Sequence, residues 1–304
     1  MIKSKMLMMV ITSDTYPAKR NSKAQKKIYK NSLKDGCLTI WYKGRNDLLG
    51  KDKKYLLKEN ELIVNSSNDS RDMGRKTLLA FEWALNHVDF EYLIRPTPSS
   101  YVNLNYLNYL FSNNYSEIEY LYAGTLHTLE SKHPVQKINF ISGSTLLLSK
   151  SVVNEIVKNS RFWDHSHWDD VALGQLMHKL NIKPTNINRF DVKGNIFRQK
   201  IILDNYQFRC RADNHYNYPR FIEKQLLKII DNLINDRKIN KLKKILYSAY
   251  FEIVRLFYIK EFTWKLYLLS RKVLKFVFPK STINFLKNKF DKNLNKFKHK
   301  RFKY

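Results

Sequence analysis

Short apolar runs alternate with longer segments of helical period through the first two-thirds of the chain. Residues 6–12 form an apolar run flanked by polar residues, the pattern of a strand buried on both faces of a parallel sheet. A polar loop with Asp14, Pro17 and Arg20 follows, and then a predicted helix to about Asn31. Cys37–Tyr42 and Glu61–Val64 read as further strands. Leu78, Leu79, Phe81, Trp83 and Leu85 cluster for a helix over Met73–His87, with Asp72 as its N-cap. Glu91–Ile94, Tyr120–Ala123 and Phe140–Leu148 are predicted strands, and Lys150–Asn159 and Val171–Leu180 predicted helices. The alternation predicts an α/β fold with a mostly parallel sheet and ligands at the strand ends.

Past Pro219 the pattern changes. Leu242, Ile245, Ala249, Ile253 and Phe257 recur at helical spacing, with Lys241, Lys244, Arg255 and Lys260 between them. Two regions are therefore expected: an α/β domain over 1–220 and a basic amphipathic helical region over 221–304.

Composition adds one anomaly. A chain of 304 residues with 43% hydrophobic and 27% charged residues is globular, but its formal net charge is +28. More than half of that excess lies in 221–304, so an anionic partner is implied mainly there. The two cysteines, Cys37 and Cys210, have neither disulfide-scaffold nor zinc-finger spacing. The apolar run at 6–11 is too short for a signal h-region, and no stretch approaches the roughly 20 clean apolar residues of a membrane span. These signals predict a cytoplasmic protein.

Three segments could carry chemistry. In His165-Ser-His-Trp-Asp-Asp-Val-Ala-Leu-Gly174 two adjacent carboxylates follow the aromatic Trp168 and open an apolar helix. A carboxylate fixed there could take a proton from a substrate hydroxyl. Spacing alone favours the blander reading, Asp169 as N-cap and Asp170 at the positive helix end. His165 and His167 lack a specific metal spacing and are read as loop residues. The second segment, 89–103, is a strand ending in Arg95-Pro-Thr-Pro-Ser-Ser100, which places Arg95, Thr97, Ser99 and Ser100 where ligand clefts form. A Pro-rich turn whose hydroxyls cap a helix starting near Asn103 explains it equally well. In the third, Phe140-Ile-Ser-Gly-Ser-Thr, Gly143 beside Ser142 permits close backbone approach by a ligand, or marks a bulge.

Taken in order, these segments resemble the fringe and β-1,3-glycosyltransferase family of GT-A-fold sugar transferases. Lys76-Thr77 matches the family's Lys-Thr helix, and Arg95-Pro-Thr-Pro-Ser-Ser-Tyr-Val-Asn103 its strand-end motif. Ser142-Gly143 matches its Ser-Gly strand, and Asp169-Asp-Val-Ala-Leu-Gly174 its Glu-Asp-Val-x-x-Gly. Ile11-Thr12-Ser13 and Arg20 resemble the donor-binding start. The likeness spans about 6–215. It implies a Rossmann-like GT-A domain and an inverting transfer of a hexose from a nucleotide sugar, a UDP-sugar first, to a glycan or lipid-linked glycan. Asp170 would be the base and Asp169 its support. Thr12, Arg20, Lys76, Arg95, Thr97, Ser99 and Ser100 would bind the donor, and Ser142, Gly143 and Trp168 would line the cleft.

The chain departs from the family at one point. The aspartate triplet that holds a divalent metal falls on Thr97-Pro98-Ser99, where no carboxylate remains. The expectation is an enzyme with no metal, Arg95, Lys76 and Arg20 meeting the leaving diphosphate; the alternative is Mn²⁺ or Mg²⁺ held by an altered site.

The basic end suits a peripheral contact with an anionic inner membrane face, or a helical subdomain with a solvated charged surface. Three rival classes remain: a nucleic-acid-binding protein, a non-catalytic binder of carbohydrate or nucleotide sugar and, last, a metal-dependent hydrolase built on the His/Asp cluster at 165–170. No finger, homeodomain, KH or RNP-like pattern supports the first, so no nucleic-acid partner is expected.

Overall fold

The computed structural model describes residues 2–49, 53–130, 137–212, 218–235, 239 and 241–258. In chain order its elements are β1 (Ile2–Ile11), α1 (Ala18–Ile28), β2 (Cys37–Gly44), β3 (Tyr55–Lys58), β4 (Glu61–Val64), α2 (Met73–His87) and β5 (Val88–Pro96). There follow β6 (Ser100–Val102), α3 (Leu104–Asn113), β7 (Tyr122–Gly124), β8 (Leu126–Glu130), β9 (Lys137–Ile141) and β10 (Thr145–Ser149). The remainder are α4 (Lys150–Lys158), α5 (Asp169–Lys179), β11 (Thr185–Asn186), β12 (Phe190–Asp191), β13 (Gln207–Arg209), α6 (Glu223–Ile234) and α7 (Lys241–Tyr258).

The main sheet runs β11-β7-β10-β5-β1-β2-β4-β3. Its centre is parallel: β1 pairs with both β2 and β5, and β2 with β4. Strand β10 enters antiparallel between β5 and β7. Both faces of β1 are covered, as its unbroken apolar run requires. Leu7, Met9 and Ile11 pack with Phe81, Trp83, Ile156 and Leu173 on one side, whereas Met6, Met8 and Val10 pack with Leu107 and Phe111 on the other. After β1 the chain adds β2 and β4 on one side, then returns to place β5 on the other. The order reverses between β1 and β5, and a ligand crevice opens outside the carboxyl ends of strands at such a point.

The predicted single strand over Phe140–Leu148 is two. Strand β9 pairs with β8 in a separate hairpin and β10 joins the main sheet, with Ser142–Ser144 as a turn between them. Local apolar content cannot register this break, because both halves are strand-like. The expected hydroxyl cap of α3 is the amide of Asn103, whose side chain accepts from Tyr106 N–H. The boundary expected at 220 also moves. A first compact unit runs Met1–Phe251 and a second Glu252–Tyr304. Leu226, Leu227, Ile229 and Ile230 of α6 are buried within the first unit, so the α/β domain takes in the start of the basic region. Cys37 and Cys210 are free and buried. Most of 221–304 that was expected to be helical lies outside the described residues.

Candidate active site

The Ser142–Ser144 turn is the hub that brings the separate motifs together. Thr97 N–H and Ser100 Oγ both donate to the Ser144 carbonyl, at 2.9 and 2.8 Å, which ties the turn to the carboxyl end of β5. Gly143 N–H donates to Asp170 Oδ2 at 2.8 Å, and the Gly143 carbonyl accepts from Arg95 Nη1 at 2.8 Å. A Cβ on Gly143 would lie 3.1 Å from Asp170 Oδ2 and 3.3 Å from Arg95 Nη1. At this glycine it is protein groups, Asp170 and Arg95, that approach the backbone closely.

The two acids at the start of α5 have different surroundings. Asp169 is buried and forms an ion pair with Arg95, which is itself buried to 1% exposure. Arg95 also donates to Tyr42 Oη at 3.2 Å. Asp170 is half-buried, with Oδ2 on Gly143 N–H and Oδ1 accepting from Val171 N–H at 3.0 Å. It forms no ion pair among the described residues. Adjacent, Trp168 exposes 63% of its surface and presents a large apolar face beside the carboxylates.

Several residues expected to meet the donor point inward instead. Arg95 spends its guanidinium on Asp169, Gly143 and Tyr42. Ser100 is buried between the Ser144 carbonyl and Gln207 Nε2, the latter at 2.9 Å. Lys76 is 2% exposed and donates to the Asp69 carbonyl at 2.8 Å; burial pushes its pKa below the usual lysine range, with Arg95 adding to the effect against Asp72 and Asp69. Thr97 is half-buried against Ser100, and Thr12 shares a 2.6 Å hydrogen bond with Ser22. Arg20 is half-exposed on the first turn of α1. A short apolar-then-polar motif shows which side chains reach a strand end, but not whether a neighbour from elsewhere in the chain has already taken them.

The position of the family's aspartate triplet does not fit a divalent cation. Thr97, Pro98 and Ser99 supply no carboxylate, and Ser99 Oγ donates to Glu223 Oε2 at 2.9 Å. Glu223 is fully buried and also accepts from Asn21 Nδ2 at 2.5 Å, Ala212 N–H at 3.0 Å and Arg220 Nε at 2.8 Å. A carboxylate with four donors has no lone pair directed at a metal. Among the described residues no group of three His, Cys, Asp or Glu gathers to hold an ion. His167 bonds Asp164 at 2.9 Å within its own loop.

Sequence reasoning missed two groups. Arg189 donates to Ser142 Oγ and Ser144 Oγ at 2.9 and 3.0 Å and to Asp191 at 2.8 Å, so it holds the side chains of the hub turn while Arg95 holds its Gly143 carbonyl. Glu223, at the start of α6, carried no signal because its partners lie as much as 202 positions away.

Comparison with known proteins agrees with the sequence resemblance. Residues 51–188 match the galactosyltransferase family. That span, a little under half of the chain, holds Lys76-Thr77, the Arg95–Asn103 motif, Ser142-Gly143 and Asp169–Gly174, and over it the chain is galactosyltransferase-like. No curated protein matches by sequence. Similar solved structures include a glycosyltransferase involved in glycosylation of the major capsid of PBCV-1, at 10% identity and TM-score 0.47, covering 74% of this chain and 99% of that one. Galactosyltransferase LgtC, in complex with donor and acceptor sugar analogues, is 9% identical at TM-score 0.42, covering 78% and 98%. Apo glycosyltransferase GlyE of Streptococcus pneumoniae TIGR4 is 10% identical at TM-score 0.39, covering 83% and 64%.

Proposed function

We propose that this galactosyltransferase-like chain transfers a hexose, with inversion, from a nucleotide sugar to a hydroxyl of a glycan or lipid-linked glycan. The acceptor oxygen attacks the anomeric carbon as the carbon–oxygen bond to the diphosphate breaks. The hydroxyl proton passes to Asp170, and the nucleoside diphosphate leaves with the bonding electrons. The observation that carries this reading is the division of labour between the paired acids. Arg95 neutralises Asp169 in the interior, while Asp170 stays half-buried with no cation on it, oriented by Gly143 N–H. Two like groups placed in unlike environments are the usual arrangement for separate chemical roles. Asp169 thus acts as the anchor of α5, and Trp168 offers its indole face to the acceptor ring.

The reaction is proposed to run without a divalent cation, since the strand-end position carries Thr97, Pro98 and Ser99, and the carboxylate that Ser99 meets, Glu223 at the start of α6, is saturated with donors. A UDP-sugar is the donor tried first. Asp170→Asn is expected to lower turnover by at least about a thousandfold, in line with loss of a general base, with UDP binding retained. Release of free sugar or transfer product, followed by chromatography, measures it; undiminished turnover removes Asp170 from the mechanism. EDTA is expected to leave the rate unchanged, and a loss restored by Mn²⁺ would reverse the metal-free reading. A carbohydrate-binding relic differs at the same assay, because it would bind donor and release nothing.

We also propose that the basic end meets an anionic membrane surface. Leu242, Ile245 and Leu246 of α7 are all exposed, at 65%, 56% and 59%, and Lys243 and Lys244 lie between them. No helix among the described residues is long and apolar enough to cross a membrane, so the contact would be peripheral.

A further inference from the structure

We propose that Arg220, seated on the buried Glu223 carboxylate, is the side chain that holds the donor diphosphate. The inference rests on the reading of the chain as a nucleotide-sugar transferase and names the group that reading still lacks. Where the strand order reverses between β1 and β5, the loop after β5 is tied to α1, whose Gln25 Nε2 donates to the carbonyls of Thr97 and Ser100 at 3.2 and 2.8 Å. Arg220 stands against this loop, with Nη2 3.3 Å from Ser99 Oγ.

The geometry of its guanidinium is that of a held donor with a free edge. Nε donates to Glu223 Oε1 at 2.8 Å and Nη2 to Oε2 at 3.4 Å, while Nη1 makes no hydrogen bond among the described residues. The side chain is 38% exposed although Glu223 beneath it is fully buried. Because Asn21, Ser99 and the Ala212 N–H also bind Glu223, the carboxylate cannot swing away, and the fork is fixed before any ligand arrives. A planar guanidinium held in this way suits two oxygens of a phosphate better than a mobile ammonium does.

Two of the three cations expected to meet the diphosphate are committed elsewhere. The third, Arg20, is half-exposed on the first turn of α1, with no carboxylate among the described residues that fixes it as Glu223 fixes Arg220. Arg95 is enclosed by Asp169, Gly143 and Tyr42, and Lys76 by the Asp69 carbonyl. The end of the fold around α1 and α6 also keeps an excess of positive charge. The Lys224 ammonium is disfavoured first by burial and then by Lys228, Arg20, Lys27 and Lys23. Such a field draws a polyanion to the crevice before the short-range contacts form. Where the family holds a cation on aspartates, this chain holds a guanidinium on a glutamate. The function is shared, namely positive charge facing the leaving diphosphate.

The test is calorimetric binding of UDP and of inorganic pyrophosphate to the full chain, wild type against Arg220→Gln, Arg220→Lys and Asp170→Asn. Arg220→Gln is expected to weaken both ligands by about ten- to a hundredfold, the loss of one or two charge-assisted hydrogen bonds. Arg220→Lys should fall between, having charge but no fork. Asp170→Asn should bind both as tightly as wild type while losing turnover, so failure of the base assignment shows in turnover and failure of the Arg220 assignment in binding. Wild-type affinity in Arg220→Gln overturns the proposal, as does a wild-type protein that binds neither ligand. If Arg220→Gln does not fold, phenylglyoxal labelling of Arg220 in the wild-type chain, mapped by peptide mass, takes its place. Protection by UDP and by pyrophosphate is expected, and unchanged labelling overturns the assignment.

Discussion

Removing the Arg95 guanidinium would leave the Asp169 carboxylate, at 7% exposure, without a counter-charge. Breaking one side of a buried pair costs about 3–5 kcal/mol, whereas replacing both partners with apolar groups of similar size can be neutral. Arg95→Met is therefore expected to lower unfolding stability by about that amount in urea titrations, and Arg95→Met with Asp169→Leu to recover most of it. If Arg95→Met unfolds like wild type, the anchoring role assigned to the pair is wrong. The same pairing could not be read from sequence. A charged residue at a strand end is a good ligand candidate until a carboxylate 74 positions later occupies it, and no local pattern announces that partner. Asp170 was legible for the opposite reason: its place at a helix start follows from neighbours within one turn.

At the scale of elements, Gly174 shows how a site helix is fitted to its sheet. A Cβ there would sit 2.4 Å from Phe140 Cβ and 3.1 Å from Phe140 Cα, so α5 lies against β9 closer than any side chain allows. Gly174→Ala is expected to destabilise the fold by about 1–3 kcal/mol through overpacking, despite alanine's better helix propensity. It should also lower turnover by shifting Asp170 on the Gly143 turn. Thermal unfolding together with transfer rate measures both, and a stabilised variant would show that the contact relaxes freely. Apolar runs revealed β4 and α2 to their ends and β2 to within two residues, because each is specified by its own residues. Strand β1, by contrast, begins four residues before its apolar run, and Asp72 turns its carboxylate to Ser66 and Ser67 instead of capping α2. The break between β9 and β10 stayed hidden, since it depends on which sheet each half joins.

For the whole molecule, the surplus of positive charge and the exposed stripe on α7 bear on where the protein works. It is expected to sediment with vesicles containing anionic phospholipid at low salt and to be released as ionic strength rises, because exposed charges are screened beyond about 10 Å at 0.1 M salt. Replacing Leu242, Ile245 and Leu246 with Ser should weaken the binding that survives in salt, as the apolar part of the contact is lost. No sedimentation at low salt would sink the membrane reading. The composition shift near 220 was visible, but its meaning was not. Glu223 and the buried face of α6 bind the first part of that basic region into the first compact unit, which runs on to Phe251.

Local alternation of apolar and polar residues was enough to define an α/β chain with its parallel strands and a helix opening on Asp169 and Asp170; that the strand-end loop lacks carboxylates mattered only through the family resemblance. Those features arise from interactions within a few residues, so a linear reading contains them. Tertiary structure decided which polar groups are committed: it buried Arg95 on Asp169, sank Lys76 and Ser99, and set Arg220 on Glu223. Such pairings join positions scores of residues apart, and burial and Coulomb attraction choose among them only once the chain has folded.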